Sequence, residues 1–184
     1  MTALTLAAIT ILVVGDSIGE RYGIHAEPHP EVELIRAAVG GTTAQQWAST
    51  NGTFFANAVA QATGGVDVIV VSLGANDSTI GRGHVFPAQY VAFIARLRGH
   101  VGNVPVIAIP FPADWRAGQR HVDLIRAAVR DAPVADYRLV NTSGLTTEAD
   151  GVHYDAAGSR ELGRRIAGMV VGPAPMRGMV VYIR

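Results

Sequence analysis

The sequence contains no cysteine and no lysine. The absence of cysteine excludes disulfide bonds, thiolate nucleophiles and cysteine-ligated zinc. The absence of lysine excludes an amine that forms Schiff bases and the lysine of a P-loop. An excess of charge of one sign is also missing, since 15 basic residues, all of them arginine, balance 15 acidic residues. Because nucleic acids and anionic membranes attract basic proteins, we expect a small or neutral partner and no nucleic acid.

Long uninterrupted apolar runs are missing as well. No run is long enough to span a bilayer, so we expect no transmembrane segment. The N-terminal stretch up to Val14 lacks a basic leader and a separate cleavage region, and it continues directly into Gly15. We therefore interpret it as a β-strand and not as a signal peptide, and we expect a cytoplasmic location by default.

The length of 184 residues predicts one domain with a sizeable core. We place this domain at residues 1–172. Pro173 and Pro175 then interrupt the chain, and residues 173–184 form a C-terminal tail with a β-prone ending. Two hypotheses stay open for this tail, a strand packed on its own domain or a contact with another subunit in a homo-oligomer.

Short β-prone runs alternate with helical patterns along the chain. Several of these runs are continuously apolar, as in strands that are buried on both faces of a parallel sheet. The alternation predicts an α/β fold, a three-layer α/β/α sandwich around a five-stranded parallel sheet with flavodoxin-like strand order. The predicted strands are residues 9–14, 32–39, 66–73, 104–109 and 137–140, and the predicted helices are residues 44–62, 88–98, 119–130 and 156–170. Gly52 weakens the first helix and is a point where it can split.

A serine hydroxyl follows the first predicted strand, in the motif Gly15-Asp16-Ser17. In open α/β sheets, ligands and reacting groups gather beyond the carboxyl ends of the strands, which makes Ser17 a candidate nucleophile. The alternative is an ordinary helix N-cap. Asp and Ser both accept hydrogen bonds from the free N–H groups at the start of a helix.

Three more polar or glycine-rich motifs follow predicted strands. They are Gly40-Gly41-Thr42, Gly74-Ala75-Asn76-Asp77 and, before the final helix, Asp150-Gly151-Val152-His153. Because parallel strands end at the same edge of a sheet, we expect these turns to lie close to Ser17.

Two residues of the last motif suit the chemistry of a serine nucleophile. A serine hydroxyl is a poor nucleophile at neutral pH, so it needs a neighbouring base, and the imidazole of His153 is a candidate. Asp150, three residues earlier, is a candidate acceptor for the other imidazole N–H, which would fix the tautomer of the ring.

Taken together, these four motifs make the chain resemble the SGNH hydrolases, also called GDSL esterases and lipases. The resemblance covers nearly the whole chain, with Ser, Gly, Asn and His in the order of the family. Ile18 stands where the family usually has leucine. In the second motif we favour Gly41 over the adjacent Gly40 as the family's glycine.

The resemblance implies a carboxylic ester hydrolase that forms an acyl-serine intermediate and needs no metal or cofactor. It implies Ser17, Asp150 and His153 as catalytic residues. It also implies three donors to the oxyanion: the backbone N–H groups of Ser17 and Gly41 and the side-chain amide of Asn76. Glycine allows a close backbone approach, and asparagine is a neutral donor.

Other polar residues have simpler interpretations. We expect Asp16 and Asp77 to cap turns at strand ends, not to take part in catalysis. Residues 25–31 contain histidine and glutamate, which are metal-ligand types, but the prolines in this segment favour a loop over a metal site.

The substrate is predicted from the rim of the site and from the lack of a lid. Residues 78–87 and 111–119 are expected to form the rim and to supply Arg82, Phe86, Trp115 and Arg116, with Trp115 either packed or stacked on a sugar. The sequence has no long apolar insertion of the kind that is typical of a lid. We therefore expect short-chain esters or O-acetyl groups, also on carbohydrate, as substrates. A catalytically weak binding or structural module on the same fold and an acyltransferase are the alternatives.

Overall fold

Five parallel β-strands form the centre of the fold, in the spatial order β2-β1-β3-β4-β5. The computed structural model describes residues 8–25, 29–112, 119–132, 134 and 136–171. The strands are β1 (Ile9–Gly15), β2 (Val32–Arg36), β3 (Val68–Ser72), β4 (Val106–Ala108) and β5 (Tyr137–Leu139). In register, Ile11 of β1 lies between Leu34 of β2 and Val68 of β3. The predicted five-stranded parallel sheet with flavodoxin-like order is confirmed.

Helices cover both faces of this sheet. The chain adds β2 on one side of β1 and then β3 on the other, so right-handed crossovers place the connecting helices on opposite faces. The helices are α1 (Ser17–His25), α2 (Ala44–Ala48), α3 (Thr53–Gln61), α4 (Ala75–Thr79), α5 (Phe86–Val101), α6 (Gln119–Arg130) and α7 (Ala156–Val170). Helix α1 packs against α7, whereas α5 packs against α2, α3 and α6. This arrangement is the predicted three-layer sandwich.

The core follows the apolar runs that predicted the strands. Every residue of β3 is buried, and so is β1 from Ile11 onward, whereas the edge strands β2 and β5 are partly exposed. On one face, Trp47 of α2 is fully buried, and its ring centroid lies 5.3 Å from that of Phe93 in α5. Burial of each large apolar side chain contributes about 1.5–3 kcal/mol, so the central strands and this aromatic contact dominate the stability of the fold.

The boundaries of several elements differ from the prediction. Strand β2 ends at Arg36 and not at residue 39, although the Val39 N–H still donates to the Gly15 carbonyl at 2.9 Å. The helix predicted over residues 44–62 is split into α2 and α3, with Gly52 as the N-cap residue of α3. Helix α4 was not predicted, because five residues are too few to show a helical period.

Some predictions fall outside the described residues. The C-terminal tail at residues 173–184 is one of them, so its two hypotheses stay predictions, and Trp115 and Arg116 are others. Within the described part of the chain, no helix has the length and hydrophobicity needed to cross a membrane.

Gly15 ends β1 in a conformation that only glycine adopts readily. Its φ is +122°, and a Cβ atom at this position would lie 1.8 Å from the carbonyl oxygen of Ser72 in β3. The two strand ends are therefore in close contact, and the Asp16 N–H donates to the same carbonyl at 2.8 Å. This contact sets the point where the chain leaves the sheet and α1 begins.

We predict that Gly15→Ala lowers the free energy of unfolding by roughly 3 kcal/mol or more, because the added methyl group meets backbone atoms that cannot move independently. Urea denaturation followed by circular dichroism measures the change. Gly99→Ala is the matched control, since Gly99 is exposed in α5 with open space around it and alanine favours a helix by up to about 1 kcal/mol. Equal stability of the two variants would contradict the role of the Gly15 contact.

Candidate active site

The turns that follow β1, β2 and β3 meet at the carboxyl edge of the sheet, as parallel strands require. Ser17 is the first residue of α1, two residues after the end of β1. The Val39 N–H, after the end of β2, donates to the Gly15 carbonyl at 2.9 Å, and the Thr42 hydroxyl lies 3.0 Å from the same oxygen. Asn76, in α4 after β3, donates from its side-chain amide to the Thr42 carbonyl at 2.9 Å. The three predicted turns are thus hydrogen-bonded to one another.

The Ser17 hydroxyl is hydrogen-bonded to a histidine. Its Oγ atom lies 2.8 Å from Nε2 of His153, a residue 136 positions later in the chain. The hydrogen bond that caps the start of α1 comes from Asp16, whose Oδ1 accepts from the Ile18 N–H at 3.1 Å. Because Asp16 performs the capping, the hydroxyl of Ser17 is available for His153.

His153 is held by the turn that contains Asp150. Oδ2 of Asp150 lies 2.5 Å from Nδ1 of His153, and Oδ1 accepts from the backbone N–H groups of Val152 and His153 at 2.9 and 3.0 Å. Gly151, between them, has a φ of +69°, which allows the chain to turn back on Asp150. Asp155 then caps α7 by accepting from the Gly158 N–H at 2.7 Å. The turn is therefore fixed to a long helix.

The pKa of Asp150 is well below its usual value. Partial desolvation raises it, but hydrogen bonds from the His153 ring and from the backbone N–H groups of His153 and Val152 outweigh this effect and bring the pKa to about 2. Asp150 is therefore a carboxylate at neutral pH. An ionised acceptor beside Nδ1 favours the tautomer that carries its proton on Nδ1 and leaves Nε2 free to accept from Ser17.

The two adjacent glycines differ in their surroundings. A Cβ atom on Gly40 would lie 2.8 Å from Oε2 of Glu20 and 3.6 Å from Cβ of Ser17, so Gly40 packs close to α1. Gly41 has a φ of +76° and open space around its Cβ position. The conformation of Gly41 thus favours glycine, whereas a side chain at Gly40 would be too close only to the flexible end of the Glu20 side chain.

Among the described residues, the side-chain amide of Asn76 donates to one acceptor and has a second N–H. Its Nδ2 atom carries two hydrogens, and a single bond to the Thr42 carbonyl uses one of them. The bond also fixes the amide plane. The second N–H is therefore available to a ligand at this edge of the sheet.

Asp77 lies in α4, after β3, and caps the start of α2. It is fully buried, and its two carboxylate oxygens accept from the Ala44 N–H, at the start of α2, at 3.1 and 3.2 Å. The burial raises its pKa. It supports α2, which begins two residues after Thr42.

Asp16 is a buried carboxyl group beneath the candidate nucleophile. Its Oδ1 also accepts from the Ser72 hydroxyl at 3.2 Å, whereas Oδ2 has no hydrogen-bond partner among the described residues. Burial is the largest effect that raises the pKa of Asp16, and the nearby charge of Asp77 adds to it; together they outweigh the lowering effect of these hydrogen bonds and bring the pKa to about 7. Asp16 is thus protonated over much of the acidic range.

The prediction that Phe86 lines the rim of the site is wrong. Phe86 is fully buried, with its ring centroid 5.1 Å from that of Tyr90, because it faces the sheet from the first turn of α5. It therefore does not line the site. Arg82 is exposed, and its guanidinium donates to the side chain of Gln45 in α2.

Metal-ligand residue types come together in one place in the described chain, where atoms of Glu148, Asp150 and His153 lie within 4.8 Å of one another. Each of them already has a polar partner. Asp150 and His153 bind each other, and Glu148 forms an ion pair with Arg21 of α1. This arrangement suits proton transfer better than metal binding. In the segment 25–31, Nδ1 of His29 accepts from the Glu31 N–H at 3.3 Å.

Three neighbours of the site, Ser72, Arg21 and Glu148, do not follow from the sequence motifs. Ser72 belongs to a run that predicts a buried strand, and its hydroxyl lies beside Asp16 because β1 and β3 are adjacent. Arg21 lies four residues after Ser17 in α1, a spacing that puts both on one face of a helix. That spacing was the available signal, and it does not identify the partner Glu148.

A known protein family matches most of the chain. Residues 14–171 match the model of a family described as "Carbohydrate esterase, sialic acid-specific acetylesterase". A comparison with curated protein sequences gives no significant match.

Solved structures share the fold at low sequence identity. A carbohydrate acetylesterase family member from Sinorhizobium meliloti has a TM-score of 0.64 and 20% identity, with 90% of this chain and 100% of that chain covered. A member of the lipolytic protein G-D-S-L family from Veillonella parvula has a TM-score of 0.64 and 17% identity, with 90% and 100% covered. A protein from Arabidopsis thaliana has a TM-score of 0.67 and 19% identity over 77% of this chain. The chain spans 60% of the length of that plant protein.

The raised pKa of Asp16 predicts how stability depends on pH. The folded protein retains the proton up to about pH 7, whereas the unfolded chain releases it near pH 3.8. The contribution of Asp16 is therefore full below pH 3.8 and is lost as the pH rises to about 7. Relative to Asp16→Asn, which stays neutral, we predict that wild-type stability falls by on the order of 2–4 kcal/mol across this range.

Urea denaturation of wild type and Asp16→Asn at a series of pH values measures this difference. The variant keeps an acceptor for the Ile18 N–H and the Ser72 hydroxyl, so its fold should be retained. A stability difference that does not change between pH 4 and pH 7 would show that Asp16 titrates at its ordinary value.

Proposed function

Because the chain belongs to the carbohydrate esterase family of sialic acid-specific acetylesterases, we propose that it hydrolyses carboxylic esters through an acyl-serine formed on Ser17. Ester hydrolysis is the reaction class that the family gives. The assignment of the chemistry to residues rests on one observation, the continuous hydrogen-bonded series from Ser17 Oγ to His153 Nε2 at 2.8 Å and from His153 Nδ1 to Asp150 Oδ2 at 2.5 Å.

In the proposed first step, Ser17 Oγ attacks the carbonyl carbon of the ester while His153 Nε2 takes the hydroxyl proton. The tetrahedral intermediate collapses, the bond to the alcohol breaks, and His153 gives the proton to the departing alkoxide. In the second step a water molecule gives a proton to the same nitrogen and attacks the acyl-serine. The carboxylic acid then leaves, and the proton returns to Ser17.

Asp150 orients and stabilises the imidazole in this scheme. The imidazolium formed after attack has two N–H groups, and the Nδ1–H donates to the carboxylate of Asp150. Since the pKa of Asp150 is about 2, the carboxylate keeps its charge at neutral and mildly acidic pH. It lowers the cost of the charged intermediate without accepting the proton itself.

We assign stabilisation of the oxyanion to the backbone N–H groups of Ser17 and Gly41 and to the side-chain amide of Asn76. Ser17 begins α1, where backbone N–H groups have no intrahelical acceptor. The Thr42 carbonyl holds the Asn76 amide in a fixed plane, so little reorganisation is needed as negative charge develops.

The substrates that we propose are short-chain esters, and in particular O-acetyl groups on carbohydrate. The description of the family, a carbohydrate esterase, supports this class. The name of the Sinorhizobium meliloti protein, a carbohydrate acetylesterase family member, agrees with it for a protein of the same fold. A preformed base beside Ser17 also argues against a module that only binds its ligand.

We predict that Ser17→Ala lowers kcat on 4-nitrophenyl acetate and on acetylated sugars by at least about a thousandfold, because the variant lacks the hydroxyl that is hydrogen-bonded to His153 Nε2 and that would receive the acyl group from the ester. A serine-reactive phosphonate should label the wild type at Ser17 and leave the variant unlabelled. Hydrolysis at the wild-type rate by Ser17→Ala would refute the assignment of the nucleophile.

Adding alcohol acceptors and analysing the products separates hydrolysis from acyl transfer.

For Asn76→Ala we predict a loss of about a hundredfold to a thousandfold in kcat with little change in KM, since the amide acts on the transition state. Thermal unfolding should stay close to that of the wild type. Asn57→Ala is the matched control, because Asn57 is exposed on α3 and should retain full turnover. Full turnover in Asn76→Ala would remove the amide from the oxyanion site.

A further inference from the structure

The two parts of the proposed catalytic series come from distant parts of the chain. Ser17 lies on α1, and Asp150 and His153 lie in the turn before α7. Besides the bond between Ser17 and His153, an ion pair joins this turn to α1 in the described part of the chain: the guanidinium of Arg21 donates to the carboxylate of Glu148, 127 positions away. Both side chains are partly exposed, at 34% and 39%.

Arg21 lies on the same face of α1 as Ser17. A separation of four residues is about one helical turn, so the two side chains project side by side from the helix. The backbone of α1 is itself fixed at this end by Asp16 and by the strand end at Gly15. Arg21 therefore projects from a well-supported part of α1, and its ion pair with Glu148 connects the opposing turn to this helix.

Glu148 is rigidly connected to His153. The Glu148 N–H donates to the His153 carbonyl at 2.8 Å, and the Gly151 N–H donates to the Glu148 carbonyl at 3.0 Å. An antiparallel bridge between Thr147 and Tyr154 encloses this turn. Any movement of Glu148 away from α1 is thus transmitted to the backbone of His153.

We propose that the Arg21–Glu148 ion pair positions His153 against Ser17, and that Arg21 and Glu148 are positioning residues for the reaction. This inference rests on the proposed function, since it assigns to His153 the role of the base. The ion pair fixes the distance between α1 and the turn at the level of the hydroxyl and the imidazole. The Tyr154 hydroxyl, which donates to the Pro110 carbonyl at 2.8 Å, anchors the other end of the turn to the chain after β4.

A positioning role predicts a large loss of turnover, whereas a purely structural role predicts a small loss of folding stability. A partly exposed ion pair contributes little to folding, because water and salt screen it. A displacement of about 1 Å in a catalytic group, by contrast, can lower the rate on the order of a hundredfold. Loss of the pair should therefore reduce turnover much more than it reduces the melting temperature.

Arg21 could act in two ways, by positioning the base or by binding an anionic substrate directly. The ion pair with the carboxylate of Glu148 favours positioning, because it already occupies the guanidinium. An arginine that binds substrate changes KM when it is removed. One that positions the base changes kcat, because it acts on the transition state through His153.

The experiment measures kcat and KM on 4-nitrophenyl acetate, and the rate of inactivation by a serine-reactive phosphonate, for Arg21→Gln, Glu148→Gln and the double variant. We expect each single variant to lower kcat about 10- to 100-fold, to lower the inactivation rate in parallel, and to leave KM within about twofold. Because both residues act through one contact, the double variant should lose no more than the larger single loss. Arg21→Lys, which retains the charge, should recover most of the rate.

Arg130→Gln is the matched control. It removes an arginine from an exposed ion pair with Asp131 at the end of α6, away from the turn, and should keep the wild-type kcat. Wild-type kcat in both single variants, a rise in KM at constant kcat in Arg21→Gln, or losses that multiply in the double variant would each overturn the inference. Ser17→Ala, assayed in parallel, tests the proposed function separately. If it is inactive while the Arg21 and Glu148 variants are fully active, the positioning role alone fails.

Discussion

One hydrogen bond, between Ser17 Oγ and His153 Nε2 at 2.8 Å, connects the start of α1 to the turn before α7. It requires that the exit of β1 and the turn before α7 meet at the same sheet edge, 136 residues apart in sequence. The packing of α1 against α7 provides this arrangement. The glycine at the end of β1 turns the chain out of the sheet at the correct position, and Asp150 orients the imidazole from the other side.

The serine motif has two interpretations, a helix cap and a nucleophile, and the position of Asp16 is compatible with both. Its carboxyl group accepts from the Ile18 N–H and the Ser72 hydroxyl, so it supplies the cap of α1 and ties the helix to β3. Ser17 is thereby released from capping. The burial that makes Asp16 effective as a support also raises its pKa to about 7, whereas the more exposed, hydrogen-bonded Asp150 has a pKa of about 2. Two carboxyl groups near one serine thus differ in charge because their environments differ.

The sequence predicted the sheet and the helices because their signals are local. Continuous apolar runs marked β1 and β3, and the predicted bounds of α6 and α7 agree with the structure. Helix α4 has five residues and no readable period, so it was missed. Phe86 was placed at the rim because its position along the chain is near a strand end, but its side chain turns inward on α5. The Arg21–Glu148 pair depends on tertiary packing between residues 127 positions apart, which no local pattern encodes.

The most direct test of the account is to locate the acyl group during turnover. Wild-type protein is mixed with excess 4-nitrophenyl acetate, quenched with acid within the first turnovers, digested and examined by mass spectrometry, with Ser17→Ala treated in parallel. We predict an acetyl group on Ser17 in the wild type and on no residue of the variant. Turnover of the ester with the acetyl group on another residue, or equal turnover by the variant, would contradict it.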